Sequence, residues 1–147
     1  MSNTADVFQV VPFEVAHGLE IVEGSKENFS DPVEQWRGRF EAMEKEGCAC
    51  TVIEDSIPVA CLGVYVGFGA VAWLIDKDVL RHMNLLAEVF RTFLRVTAEN
   101  NGLTMLQTPV SLKYDVYRAL FERVGFKAVG SLPDEPDEIM MKMEIVR

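Results

Sequence analysis

Apolar and polar positions change rhythm several times along the chain, and each change marks an element. Val7 to Pro12 is a short run of β-formers, and Glu14 to Val22 has the spacing of a brief helix closed by Gly24. Asp31-Pro32-Val33-Glu34 then carries the signals of a helix start: a capping side chain, a proline at the first helical position and a carboxylate at the third. Val33, Trp36, Phe40 and Met43 follow at helical spacing, and Gly47 ends that element. Cys48 to Glu54 and Pro58 to Val66 are rich in β-formers and are separated by Asp55-Ser56-Ile57, which predicts an antiparallel hairpin. Past Gly67-Phe68-Gly69, Ala70 to Ile75 is almost entirely apolar, the pattern of a strand buried on both faces.

The longest helical pattern comes next. Met83, Leu86, Ala87, Phe90, Leu94 and Ala98 share one stripe, Arg81, Glu88, Arg91, Arg95 and Glu99 fall largely off it, and Asn100-Asn101-Gly102 stops it. Leu103 to Thr108 is a strand entered directly from that helix, so strand, helix and strand form a parallel crossover. A last helix is expected from about Ser111 to Val124, ending at Gly125. Two more strands follow, Phe126 to Val129 and Glu138 to Ile145, with Ser131 to Asp137 as a solvated loop between them. The order is β, α, α, β, β, β, α, β, α, β, β, an α/β fold in which a meander feeds one parallel crossover.

Composition narrows the function classes. A chain of 147 residues with 49% hydrophobic and 25% charged positions supports one packed domain spanning residues 1 to 147. A net charge of -9 argues against broad binding to nucleic acid or an anionic membrane. The apolar stretch from Ile57 to Ile75 is broken by Pro58, Gly63, Gly67 and Gly69 and is not read as a membrane span. Residues 1 to 11 have no basic flank and no small-residue cleavage pattern, so a cytoplasmic location is expected. Cys48, Cys50 and Cys61 form no evident bridge. Two histidines without a Cys-x-x-Cys pair supply no metal site.

The element order, together with Leu120-Phe121-Glu122-Arg123-Val124-Gly125-Phe126 at the end of the last helix, resembles the GNAT family of acyl-CoA-dependent N-acetyltransferases over nearly the whole chain. The resemblance implies a mixed, mostly antiparallel sheet with one βαβ crossover and helices on both faces. It also implies that acetyl-CoA lies where the fourth and fifth strands part, with its pyrophosphate on backbone N–H groups at the start of the following helix. Mapped here, the cofactor residues are Leu74, Ile75, Arg81, His82, Met83, Asn84 and Tyr114, and backbone N–H groups near Leu74 and Ile75 would polarise the thioester carbonyl. Charge agrees with that placement: Lys77 to Lys127 carries eight basic against five acidic side chains, although the whole chain is acidic.

The departures from the family are specific. Its phosphate loop reads Gln/Arg-x-x-Gly-x-Gly/Ala, whereas here Arg81-His82-Met83-Asn84-Leu85-Leu86 puts Asn84 and Leu86 at the small positions, where a leucine would crowd a phosphate unless the loop takes a different path. Tyr114 stands where the last helix usually has an asparagine. Phe121 stands where a tyrosine often protonates the leaving thiolate, and phenylalanine has no proton to give. Tyr117, one turn earlier, is the candidate substitute acid. Asp76, at the end of the central strand, is the carboxylate best placed in sequence to act as a base, its other reading being a helix cap. Glu54 and Asp55, at a hairpin end, are further candidate bases. His17 is expected on a helix surface.

Trp73 in an apolar strand, followed by a polar turn and a helix without the glycine loop, is also similar to small GNAT-like proteins of bacteriophages, over fewer residues. Two readings follow. In one, the chain is an acyl-CoA-dependent N-acyltransferase whose amine acceptor, a small molecule or peptide, is chosen by Glu14 to Phe29. In the other, the same fold is a phage or prophage accessory or virion protein without catalysis, working through protein contacts. Met141, Met143 and Ile145 alternate so that one apolar face meets the sheet, and that face also suits a homodimer.

Overall fold

Periodicity in the sequence becomes the following elements in the computed structural model, which describes residues 8–24, 31–67, 69–78, 81–113, 115–132 and 134–145. They are β1 (Phe8–Pro12), α1 (Val15–Gly24), α2 (Val33–Glu46), β2 (Ala49–Glu54), β3 (Ile57–Tyr65), β4 (Val71–Asp76), α3 (Met83–Asn100), β5 (Met105–Ser111), α4 (Asp115–Val124), β6 (Lys127–Leu132) and β7 (Glu135–Glu144). This is the order expected from the pattern. The strands join in one seven-stranded sheet, β1-β2-β3-β4-β5-β7-β6. The β1–β2, β2–β3, β5–β7 and β6–β7 pairs are antiparallel and β4–β5 is parallel, so the sheet is mixed and mostly antiparallel.

Contacts group the chain into two compact units, one made of Met1–Gly63 with Leu74–Lys77, the other of Val64–Trp73 with Asp78–Arg147. In the first, α1 and α2 lock through Gly18, where a Cβ would stand 2.7 Å from the ring of the fully buried Phe40. Phe13 meets that ring edge-on at 5.8 Å and Trp36 stacks on it at 5.6 Å. Glu44 reaches from α2 to accept the N–H of Val15 at 2.7 Å, which caps the start of α1. The predicted cap of α2 is corrected: Pro32 is the capping residue, with ψ 144° and no side-chain hydrogen bond, and the helix begins at Val33. Asp31 instead pairs with Arg39 at 3.0 Å, and Arg39 lies 4.5 Å over the Trp36 ring. The β2–β3 turn has two residues rather than three, Asp55 and Ser56, with φ of 50° and 73°; both are positive, as a tight hairpin matching strand twist requires.

In the second unit α3 shows Leu86, Ala87, Phe90, Leu94, Thr97 and Ala98 to the interior, the expected stripe with Thr97 added and Met83 only half-buried. Asn101 closes the helix by donating from Nδ2 to the Thr97 carbonyl at 2.8 Å. The last helix starts at Asp115 and not at Ser111, because β5 continues through Pro109 to Ser111 in register with β7. The Gln107 N–H points at β4, where it donates to the Ala70 carbonyl at 3.1 Å, so two residues on Pro109 has no N–H to offer on that side. The carbonyl of Ala72 takes the hydroxyl of Thr108 at 3.0 Å, and the registered β4–β5 ladder is the single pair Val71↔Gln107. Ser131 to Asp137 is mostly strand in the β6–β7 hairpin rather than a loop. Ala70 to Ile75 is not buried on both faces either, since Val71, Trp73 and Leu74 are half-buried. Met141 and Met143 are buried as expected, whereas Ile145 lies past the end of β7.

Candidate functional site

The start of α3 is built by its approach. The Asp78 carboxylate accepts the N–H of Arg81 at 3.3 Å, turning the chain, and His82 follows as the capping residue. His82 makes no side-chain cap hydrogen bond, its carbonyl accepts the N–H of Leu86 at 2.8 Å, and the first turn of α3 contains no acid. An 18-residue helix thus begins with backbone N–H groups lacking the usual Ser, Thr, Asp or Asn cap. Arg81 and Asn84 are exposed there, and His82 and Met83 are half-buried.

Leu86 does not crowd this end. It is 1% exposed and buried on the same stripe as Phe90 and Leu94, the alternative that its position in the glycine pattern left open. Asn84, at the other small position, accepts a hydrogen bond from Nη1 of Arg123, in the last turn of α4. Arg91 holds that turn in place, donating to the carbonyls of Arg123 and Val124. Arg81 and Arg123 therefore stand at the positive end of the α3 dipole, an arrangement that favours an anion. Arg123 was not singled out from the sequence. Only the packing of α4 on α3 brings it here, and its membership in Leu120-Phe121-Glu122-Arg123-Val124-Gly125-Phe126 was the nearest signal.

The other sequence candidates scatter. Asp76 is the last residue of β4 and 4% exposed; it does not cap α3, which starts seven residues later behind His82. In β4, Leu74 is half-buried and Ile75 buried, and the N–H of Lys77, just beyond, donates to the Val59 carbonyl at 3.0 Å. Tyr117 is half-buried in α4, and Tyr114 lies outside the described residues. Phe121 is 5% exposed and packs against Phe90 at 5.5 Å and Phe126 at 5.3 Å, so its ring belongs to the core. Glu54 is buried at the end of β2 and Asp55 is exposed in the turn, where it borders a surface hollow of about 340 Å³ with Gln9, Ile53 and Ser56.

His17, expected on a helix surface, is instead half-buried. Its side chain is 15% exposed, and Nδ1 lies 2.8 Å from the hydroxyl of the fully buried Thr51, itself 3.6 Å from Cys61 Sγ. Burial pushes the Cys50 and Cys61 thiols up to about 12, so neither is a thiolate nucleophile near neutral pH. Among the described residues no three His, Cys, Asp or Glu side chains group as metal ligands, and no helix is long and apolar enough to cross a membrane.

No family model matches the chain, and no curated protein matches it. Solved structures do. A GNAT-family acetyltransferase from Bacillus cereus superposes with a TM-score of 0.76 at 14% identity, over 96% of this chain and 99% of that one. An aminoglycoside 6'-acetyltransferase of type Ii gives 0.73 at 16% identity, over 95% and 98%. A ribosomal L7/L12 alpha-N-protein acetyltransferase in complex with coenzyme A gives 0.71 at 11% identity, over 94% of each chain. At these identities the likeness is one of fold, and the fold is that of GNAT acetyltransferases.

Proposed function

We propose that the chain is an acyl-CoA-dependent N-acyltransferase that binds acetyl-CoA with its phosphates at the amino end of α3 and passes the acetyl group to an amine. The observation that carries this reading is the α3 start: no capping side chain, no acid in the first turn, Leu86 turned into the core, and Arg81 and Arg123 at the rim. In the absence of the family's glycines, backbone N–H groups and two guanidinium groups would hold the phosphates. Bound acetyl-CoA would supply the activated thioester. The chain's own part is to position the amine and to polarise the carbonyl through backbone N–H groups near Leu74 and Ile75. Tyr117 is the remaining candidate for returning a proton to the thiolate, and Asp76 for taking one from the amine. The acceptor class also fits the neighbours, one of which is an aminoglycoside acetyltransferase.

Titration with acetyl-CoA tests the reading. Acetyl-CoA at about 100 times its dissociation constant adds roughly 2.7 kcal/mol to the unfolding free energy. Micromolar binding by calorimetry that Arg81→Ala weakens supports the site; no heat and no shift in thermal unfolding at millimolar acetyl-CoA removes it. A second reading, the same fold working without catalysis through protein contacts, is favoured by Phe121, whose core ring leaves the tyrosine's role unfilled at that position. Binding without turnover on any amine would decide for it.

A further inference from the structure

β6 ends the sheet, so among the described residues its outer edge meets no further strand. Lys127, Ala128, Val129, Gly130 and Ser131 are all exposed, which leaves both faces of the strand open as well as its edge. Ala128 stands opposite Met141 and Gly130 opposite Met140, so Val129 is the extra residue of a bulge and has no partner on β7. Val129 is 57% exposed, more than any other large apolar side chain among the described residues. β6 contains no proline, and its single charge, Lys127, stands at one end rather than in the middle, where it would keep a further strand away.

The charge of the β6–β7 hairpin is split between its ends. At the base, Lys127 faces Lys142 directly across the two strands, and like charges so placed disfavour the pair. At the tip the sequence runs Asp134-Glu135-Pro136-Asp137-Glu138, four acids in five residues, and Asp134, in the turn, is exposed. Beside the base, Arg118, Glu122, Gly125, Phe126, Lys127 and Ala128 line a surface hollow of about 390 Å³, in which Arg118 and Glu122 pair at 3.1 Å.

We propose that β6 pairs antiparallel with β6 of a second copy of this chain, across a two-fold axis at Val129. Charge selects a second copy as the occupant of this edge. Antiparallel strands lay the acidic turn of each copy against the lysine end of the other, so the same attraction is made twice, whereas a parallel pairing would set lysine beside lysine and acid beside acid. Asp134 lies farther along the chain from Val129 than Lys127 does, so the turn reaches past Lys127 toward Gly125 and Phe126, which line the same hollow. On the axis the two Val129 side chains meet and leave water. This edge replaces the face of Met141 and Met143 as the contact between copies, since both of those side chains are buried within the chain. The pairing does not rest on the acyltransferase reading.

Sedimentation of the unsubstituted chain from about 1 μM to 1 mM tests this directly, and a reversible monomer–dimer equilibrium is expected within that range. Lys127→Glu and Asp134→Lys each replace an attraction by a repulsion at both contacts, and each should weaken the dimer by about tenfold or more. Mixed in equal amounts, the two variants should pair with each other, because every contact between them again joins opposite charges. Both positions are exposed, and thermal unfolding of each variant separates loss of pairing from loss of fold. If either charge variant fails to fold, Val129→Asp, which sets two carboxylates on the axis, should leave a folded monomer. A chain that stays monomeric to about 1 mM overturns the proposal. So does a dimer that these substitutions leave unchanged, or a mixture of the two charge variants that recovers nothing.

Discussion

Arg123, in the last turn of α4, donates a hydrogen bond through Nη1 to Oδ1 of Asn84, in the first turn of α3. The two helix ends have opposite dipole signs, so a cation gains from the carboxyl end of α4 and brings positive charge to the amino end of α3. Arg91 fixes the geometry by donating to two carbonyls of that last turn. Arg123→Ala should weaken acetyl-CoA binding by about tenfold, and the loss should shrink as salt is raised, because one exposed charge facing phosphate is screened by added ions. Calorimetry at two ionic strengths measures both effects. Unchanged affinity would take Arg123 out of the site and leave the helix terminus and Arg81 alone there.

Thr108 should matter beyond its size. Pro109 cannot give β4 a ladder hydrogen bond, and the hydroxyl of Thr108, on a residue only 3% exposed, supplies one to the Ala72 carbonyl. Thr108→Val keeps the shape and leaves that acceptor without this donor, at a cost of about 1–3 kcal/mol in unfolding free energy. Pro109→Ala restores a backbone donor on the same side of β5. If the hydroxyl stands in for the missing N–H, combining the two substitutions should recover part of the stability that Thr108→Val loses, as urea denaturation would show.

The helices and strands were legible because periodicity is a local property: the apolar stripe of α3 and the alternation in β7 both follow from short windows of sequence. Their ends were less so, for identifiable reasons. Asp31 has the chemistry of a cap, but it pairs with Arg39, which also lies over Trp36, and Pro32 takes the cap position. The motif puts Leu86 in a phosphate loop because a motif aligns positions without saying which way they face. In the helix it falls on the same stripe as Phe90 and Leu94, and that stripe decides its direction. Arg123 meeting Asn84 and Lys127 standing opposite Lys142 depend on which elements lie side by side, information that a one-dimensional pattern does not contain.

Gly18 and Gly38 make opposite predictions from the same substitution. In Gly18→Ala the new Cβ would sit 2.7 Å from the Phe40 ring, which is fully buried between Phe13 and Trp36 and has little room to yield. Overpacking of that kind costs about 1–3 kcal/mol, more than the helix propensity gained, so the melting temperature should fall. Gly38, in α2, has nothing within 4 Å of its missing Cβ, and Gly38→Ala should stabilise by about 0.4–1 kcal/mol through the unfolded chain. A gain in Gly18→Ala would mean that α1 is free to shift away from Phe40.

The buried thiols predict a loss of stability at alkaline pH. Cys50 and Cys61 are pushed from 9.0 up to about 12 in the folded chain, by burial in both cases, with the neighbouring Cys61 thiol adding to the shift of Cys50. Below pH 9 both states hold these protons and the thiols impose no penalty. Between about 9 and 12 the unfolded chain releases them while the folded one keeps them, so stability falls with rising pH, by up to about 1.4 kcal/mol per pH unit for each thiol. Replacing both with alanine should cost stability at pH 7 through lost packing and should flatten the decline from pH 9 to 11, the comparison being made by denaturant unfolding across that range. The same burial predicts that a thiol reagent at pH 8 modifies Cys48, which is half-buried, well before the other two. Three thiols reacting at one rate in the native state would show that β2 and β3 open far more readily than their packing implies.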